Sequence, residues 1–163
     1  MRMLPGFSAI AGGYDGFILD LWGVIHDGVQ PFAGAPECLA ALRAAGKRIV
    51  LLSNAPRRAD SVMRQLARMG IPAGQYDGVM TSGEATHLML RDRPDPWYAA
   101  LGRRVFHLGP PRDRGVLAGL DVEVLDGPDG ADVLLNTGPD DLAPPSDPAH
   151  YDAVLQRSAA LGL

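Results

Sequence analysis

Two polar positions stand at the ends of apolar runs. Asp20 closes Tyr14-Asp15-Gly16-Phe17-Ile18-Leu19, and Ser53-Asn54 follows Ile49-Val50-Leu51-Leu52. A carboxylate can attack phosphorus and form an aspartyl-phosphate, splitting a hydrolysis into two easier steps. A hydroxyl and an amide beside it can hold the phosphoryl oxygens, and Gly23, without a side chain, lets the backbone approach the same group. Either feature alone is ordinary punctuation, an acid ending a strand or a Ser-Asn pair capping a helix. Together they carry chemistry if both runs are neighbouring parallel strands, because such strands lie ~5 Å apart and open α/β sheets bind ligands at their carboxyl ends.

The elements that would set up this rim can be read from the pattern. Residues 14–21 read as a buried strand stopping at Asp20. Pro36 opens a helix with Cys38, Leu39, Leu42 and Ala45 on one side and Gly46 as its stop. Residues 48–52 lack alternation, the pattern of a strand covered on both faces. Pro56 begins a second helix, with Val62, Leu66 and Met69 at helical spacing and Gly70 closing it. Gly78-Val79-Met80 is a short strand, and Thr81-Ser82-Gly83-Glu84 has the form of a capping box opening a third helix. This alternation predicts right-handed crossovers and a parallel sheet. The pattern breaks at residues 91–96, rich in Arg, Asp and Pro, and then resumes: strands at 105–108, 122–125 and 133–135, a loop at 137–148, and a last helix from about Pro148 to Ala160. The division expected is 1–92 and 93–163. Gly162-Leu163 closes that helix where a further strand would start, so an unfinished series is expected.

Composition bounds the function. In 163 residues, 47% are hydrophobic and 21% charged, the profile of a soluble folded chain. Nineteen acids against fifteen bases give a net charge of −4, and the bases are scattered, which argues against a nucleic-acid partner. One cysteine, Cys38, excludes an intrachain disulfide and suits a cytoplasmic location. The first residues are too short and too broken by Gly12-Gly13 for a signal peptide or a spanning helix, so no membrane partner is expected. Fourteen of the bases are arginine, leaving Lys47 as the single lysine.

The run Phe17-Ile18-Leu19-Asp20-Leu21-Trp22-Gly23-Val24, followed by His26-Asp27-Gly28, resembles the first motif of haloacid dehalogenase (HAD) phosphatases, and residues 51–57 resemble their second. The segment from Thr81 to Thr86 and the α/β series after it are similar to subfamily IIA, in which a large α/β cap follows the second motif. The resemblance implies a Rossmann-like parallel-sheet core begun in 1–92, an α/β cap begun in 93–163, and Mg²⁺-dependent hydrolysis of a small phosphorylated metabolite. It implies Asp20 as nucleophile and Mg²⁺ ligand, the Trp22 carbonyl as a second ligand, Ser53 as phosphoryl-binding hydroxyl, and Asn54 as a group shaping that site.

The chain departs from the family pattern at Trp22, where the family carries an aspartate that relays protons. An indole is only a donor of very high pKa, and general acid–base catalysis is worth roughly 10²–10⁴-fold. His26 and Asp27 are the nearest substitutes, although His26 reads equally well as a loop residue with a structural hydrogen bond. The family's later lysine or arginine, and its later metal-binding carboxylates, have no counterpart. Lys47 precedes a strand whose far end lies ~20 Å away at ~3.3 Å per residue, and Asp140, Asp141 and Asp147 read as solvated turn residues. Arg57 and Arg58, at the expected helix start, oppose the helix dipole; Arg57 is a substrate-contact candidate, weighed against a hydrated surface role. Cys38 reads as core, and Trp97-Tyr98 as packing.

Two functions follow. One is a phosphatase of which these residues are an inactive N-terminal portion; the other is a non-catalytic phosphometabolite-binding protein in which Trp22 marks lost chemistry. An unpaired edge of the first strand would favour self-association.

Overall fold

The computed structural model describes residues 6–139 and 147–163. They divide into two compact units, one made of Met1–Ala55 with Ala59–Ser82 and the other of Pro56–Arg58 with Gly83–Leu163.

In the first unit a short helix, α1 (Ser8–Ala11), precedes β1 (Gly16–Asp20), α2 (Ala35–Ala44), β2 (Arg48–Ser53), α3 (Ala59–Arg68) and β3 (Gly78–Thr81). The strands are parallel in the order β1-β2-β3, with β1 paired from Gly16–Arg48 to Asp20–Leu52 and β2 from Val50–Gly78 to Ser53–Thr81. Pro36 in the first turn of α2 loses no hydrogen bond there, Glu37 and Arg43 complement the helix dipole, and Gly46, at φ 72°, makes the left-handed stop. Leu39 and Leu42 of α2, Val62 and Leu66 of α3, and Ile49 and Leu51 of β2 form one buried cluster. Each such side chain contributes about 1.5–3 kcal/mol by leaving water. The amino ends of β2 and β3 are tied by Asp77, whose Oδ2 accepts from the Ile49 N–H at 2.6 Å and Arg43 Nη1 at 2.8 Å.

Among the described residues of this unit, helices cover one face of the sheet, where the unbroken apolar run suggested both. Ile49 and Leu51 are inaccessible, whereas their neighbours Val50 and Leu52 are 38% and 49% exposed. Both crossovers turn the same way, and right-handed connections between strands laid down in sequence order place α2 and α3 on the same side.

The second unit holds most of α4 (Ser82–Asp92), then α5 (Pro96–Ala100), β4 (Arg104–Leu108), β5 (Glu123–Leu125), β6 (Val133–Asn136) and α6 (Ala149–Ala160), with a 3₁₀ turn at Pro111–Leu117. Its parallel sheet has the order β5-β4-β6. Val105, Phe106 and His107 of the central strand are buried. Asp132 closes the amino end of this sheet: its carboxylate accepts from Arg104 Nη2 at 2.6 Å and from the Arg103 and Arg104 N–H groups. Those donors, the Arg104 guanidinium first, hold its carboxyl down to about 2.

Pro56 does not begin α3, which starts at Ala59. Pro56–Arg58 instead pack on the start of α4, where a Cβ on Gly83 would stand 2.6 Å from Pro56 C and Arg57 N. Arg57 and Arg58 therefore precede α3, with Arg58 immediately before its first residue. Trp97 and Tyr98 pack edge to face within α5, 4.8 Å apart. Asp140 and Asp141 lie outside the described residues; Asp147 Oδ1 accepts from the Ala149 N–H at the start of α6.

Candidate active site

The parallel pairing of β1 and β2 brings Asp20 and Ser53 to the same rim of one sheet. Asp20 is the last residue of β1 and stands in register with Leu52; Ser53 follows as the last of β2. Asp20 is exposed, and the Leu21 N–H donates to its Oδ1 at 2.7 Å. Ser53 is half-buried, with its Oγ accepting from the Ala55 N–H at 3.2 Å, which leaves the hydroxyl hydrogen to donate elsewhere. Alternation along the strands sends Asp20 to the open face of the sheet and Ser53 to the helix-covered one, the two meeting only at the end of the ladder.

The loop after Asp20 is held by its own backbone. The Ile25 and His26 N–H groups donate to the Leu21 carbonyl at 2.8 and 3.1 Å, and the Gly23 N–H to the His26 carbonyl at 2.9 Å. These last two bonds straddle Trp22 and use neither its N–H nor its carbonyl. Gly23 needs its glycine for φ 79°, since a Cβ there would meet nothing within 4 Å. Its N–H is already engaged, so what it offers an anion is close backbone approach. Leu21 and Ile25 anchor the loop in the core while the Trp22 side chain is 75% exposed.

His26 is buried, and its Nδ1 accepts from the Gly28 N–H at 2.9 Å, which puts the proton of the neutral ring on Nε2. Asp27 is exposed, and its Oδ1 accepts from the Val29 and Gln30 N–H groups, both at 2.8 Å. The Gln30 N–H, then the Val29 N–H, hold its carboxyl below the ordinary carboxylate range, so at neutral pH it is ionised and a weakened base. Gln65 of α3 braces this loop by donating to the Gly28 carbonyl at 3.1 Å.

On the β2 side, Asn54 is exposed and its carbonyl accepts from Ser82 Oγ at 3.1 Å, as does the Ala55 carbonyl at 2.9 Å. Ser82 thus fixes the turn after Ser53. Its hydroxyl was hidden in the sequence by the capping-box pattern around it. Arg57, half-buried, groups with the second unit. Arg58 forms a two-point ion pair with Glu84, Nε to Oε2 at 2.7 Å and Nη2 to Oε1 at 3.1 Å. Lys47 Nζ donates to the Tyr14 carbonyl at the amino end of the sheet, away from this rim.

For a hard divalent cation the rim offers one exposed carboxylate, Asp20, and the Trp22 carbonyl. Those oxygen types fit Mg²⁺, which binds through one or two carboxylates and keeps several waters. Among the described residues no group of three or more His, Cys, Asp or Glu side chains is gathered for a metal, and no helix is long and apolar enough to cross a membrane.

Comparison with known proteins gives a consistent result. Residues 17–123 match the sequence pattern described as haloacid dehalogenase-like hydrolase. Glycerol-3-phosphate phosphatase of Mus musculus is 34% identical over 144 residues, 82% of this chain and 42% of that protein. D-glycerol 3-phosphate phosphatase of Mycobacterium tuberculosis is 33% identical over 82 residues, half of this chain and 23% of that protein. Among solved structures, a haloacid dehalogenase-like hydrolase from Brucella suis superposes with a TM-score of 0.82 at 34% identity, covering 96% of this chain and 54% of its own. The M. tuberculosis glycerol phosphate phosphatase in complex with magnesium gives 0.61 at 26% identity, covering 92% and 44%. The chain spans less than half the length of these curated relatives.

Proposed function

The chain belongs to the haloacid dehalogenase-like hydrolases, and on that premise we propose that the complete protein is a Mg²⁺-dependent phosphomonoester hydrolase working through Asp20. The reading is carried by one observation: Asp20 and Ser53 end adjacent parallel strands at one rim, with an Asp20 oxygen, Oδ2, left for attack. Oδ2 attacks phosphorus, the bond from phosphorus to the leaving oxygen breaks, and that oxygen takes a proton. Water then attacks the aspartyl-phosphate, releasing phosphate and restoring the carboxylate. Ser53 donates its hydroxyl hydrogen to a phosphoryl oxygen, the Asn54 amide lies beside it, and Gly23 lets the loop close on the group. Asp20 and the Trp22 carbonyl would hold Mg²⁺, which when bound offsets phosphoryl charge. The substrate class is a small phosphorylated metabolite, glycerol phosphate being the first to try because two relatives are named for it. Arg57 would contact its anionic part. A cytoplasmic location suits a chain with Cys38 as its one cysteine.

Proton transfer falls to the loop. Trp22 supplies none at neutral pH. His26 and Asp27 are the nearest groups that could relay the proton, although the backbone hydrogen bonds that lower the Asp27 pKa weaken it as a base. These 163 residues alone are expected to be inactive, lacking the later basic residue and metal-binding carboxylates implied by the resemblance.

The exposed Trp22 also favours a second reading, phosphometabolite binding without turnover. Phosphate release from glycerol phosphate and an aryl phosphate by the full-length protein, with Mg²⁺ and with chelator, separates the two. Multiple turnover lost in Asp20→Asn and in chelator supports the hydrolase; a raised melting temperature with substrate but no release supports the binder. Release undiminished in Asp20→Asn defeats the assignment of Asp20.

A further inference from the structure

β2 and β3 end side by side. Ser53 and Thr81 close their ladder in register, so the next residues, Asn54 and Ser82, begin the connections that leave the same rim. Ser82 is the first residue of α4 and is half-buried. Its Oγ lies 3.1 Å from the Asn54 carbonyl oxygen and 2.9 Å from that of Ala55. A carbonyl only accepts, so the hydroxyl hydrogen of Ser82 is directed at this pair.

The Asn54 carbonyl matters for what shares its plane. The atoms of a peptide bond turn together, so the orientation of the Asn54 C=O sets that of the Ala55 N–H. That N–H is the donor to Ser53 Oγ at 3.2 Å. One rigid group therefore joins the Ser82 hydroxyl to the Ser53 hydroxyl. The Ala55 side chain packs against the core cluster, and the ring of Pro56 after it disfavours a helical backbone at Ala55. What these leave is rotation of the plane between Asn54 and Ala55, which the Ser82 bond to the Asn54 carbonyl opposes. A peptide whose carbonyl accepts a hydrogen bond is also a stronger donor at its N–H.

We propose that Ser82 is a positioning residue for the phosphoryl-binding hydroxyl: it holds the Asn54–Ala55 peptide in the orientation that aims the Ala55 N–H at Ser53 Oγ. The inference rests on the assignment of Ser53 to a phosphoryl group. With the peptide so held, Ser53 Oγ accepts from Ala55 and its hydrogen is left for a phosphoryl oxygen. Without the Ser82 hydroxyl, water can satisfy the two carbonyls but does not fix the plane, and the Ser53 side chain is free to leave its rotamer. A serine at a helix start has a plainer use as a cap. A cap acts on the stability of α4 and leaves phosphate affinity alone.

The test is binding of inorganic phosphate to the full-length protein in Mg²⁺, read by titration calorimetry, alongside kcat/KM for glycerol phosphate and the melting temperature. Ser82→Ala is expected to weaken phosphate about two- to tenfold, the worth of one neutral hydrogen bond, with kcat/KM lowered by a similar factor. Ser82→Thr keeps the hydroxyl and is expected to restore both. Because Ser82 acts through Ser53, the double variant Ser53→Ala/Ser82→Ala should bind phosphate no worse than Ser53→Ala. Additive losses overturn the proposal, as does a Ser82→Thr variant as weak as Ser82→Ala. An affinity unchanged in Ser82→Ala while Ser53→Ala weakens it also overturns the proposal, whatever the melt shows, and leaves Ser53 in the site. An affinity indifferent to Ser53→Ala removes Ser53 from the site and the proposal with it. Should Ser82→Ala fail to fold, Ser82→Cys, close in shape but a weak donor, is read in its place. Phosphate binding without turnover leaves the affinities to decide, and a parent that binds no phosphate overturns the proposal.

Discussion

Asp20 and Leu52 stand opposite each other across the β1–β2 ladder, so Ser53 begins one residue beyond the carboxylate at the same end of the sheet. On the proposed reading, that offset would let a single phosphoryl group lie against a carboxylate on one strand and a hydroxyl on the next. Ser53→Ala in the full-length enzyme should lower kcat/KM about ten- to hundredfold, the worth of one hydrogen bond to a charged group at roughly 1.5–3 kcal/mol. Its melting temperature should hardly move, because the hydrogen bond lost among the described residues is that from the Ala55 N–H, at 3.2 Å in a half-buried turn. Unchanged kcat/KM on a small phosphate ester would remove Ser53 from the site.

Gly83 is a steric requirement of the second unit. Its absent Cβ leaves room for the backbone of Pro56 and Arg57, and the added methyl of Gly83→Ala would come within 2.6–2.8 Å of backbone atoms that have no rotamer to change. Overpacking of this kind costs about 1–3 kcal/mol. A fall of several degrees in melting temperature is expected, and a melt equal to the parent's would show that the loop gives way.

The pair formed by Arg58 and Glu84 is largely shielded, at 28% and 16% side-chain exposure, and Arg58 Nη1 also lies 2.9 Å from Nδ1 of the buried His87. Removing one member leaves the other desolvated without its partner, the costly case for ion pairs. Arg58→Met and Glu84→Gln should each destabilise by about 1–3 kcal/mol, scaled down from a fully buried pair because both groups keep some water. The double variant should cost less than their sum. Additive losses in urea melts would mean the two do not act as a pair.

The rim was legible because it depends on local signals: a carboxylate stopping β1 and a Ser-Asn pair stopping β2, with Gly46 and Gly70 dividing the elements between them. What tertiary contacts decide was not. The run from Ile49 to Leu52 reads the same whether one face or both are covered, so the bare face bearing Val50 and Leu52 could not be inferred from it. Pro56 has the credentials of a first helical residue, yet contact with Gly83 holds it out of α3. Glu84, in the position for a capping box, gives both carboxylate oxygens to Arg58, a residue distant in sequence. His26 could be named from its neighbours, but its burial and the Gly28 N–H on its Nδ1 follow from how the loop folds back on Leu21.

His107, in the centre of β4, makes the second unit sensitive to acid. Its ring is buried, Nε2 meets Thr137 Oγ1 at 2.8 Å, and Nδ1 has no hydrogen-bond partner among the described residues. Burial first, and then the Arg114 charge, hold the imidazole below its ordinary value of 6.5. Between the lowered folded value and 6.5 the unfolded chain binds a proton that the folded chain refuses, so stability falls as pH drops through that window and is unaffected by this group above it. His107→Gln removes the titration while keeping a polar group able to reach Thr137. Melting temperatures across pH 5 to 8 should show the parent losing more stability on acidification than the variant, with His26 and His87 common to both. Parallel curves for the two proteins would remove His107 as the source of the acid sensitivity.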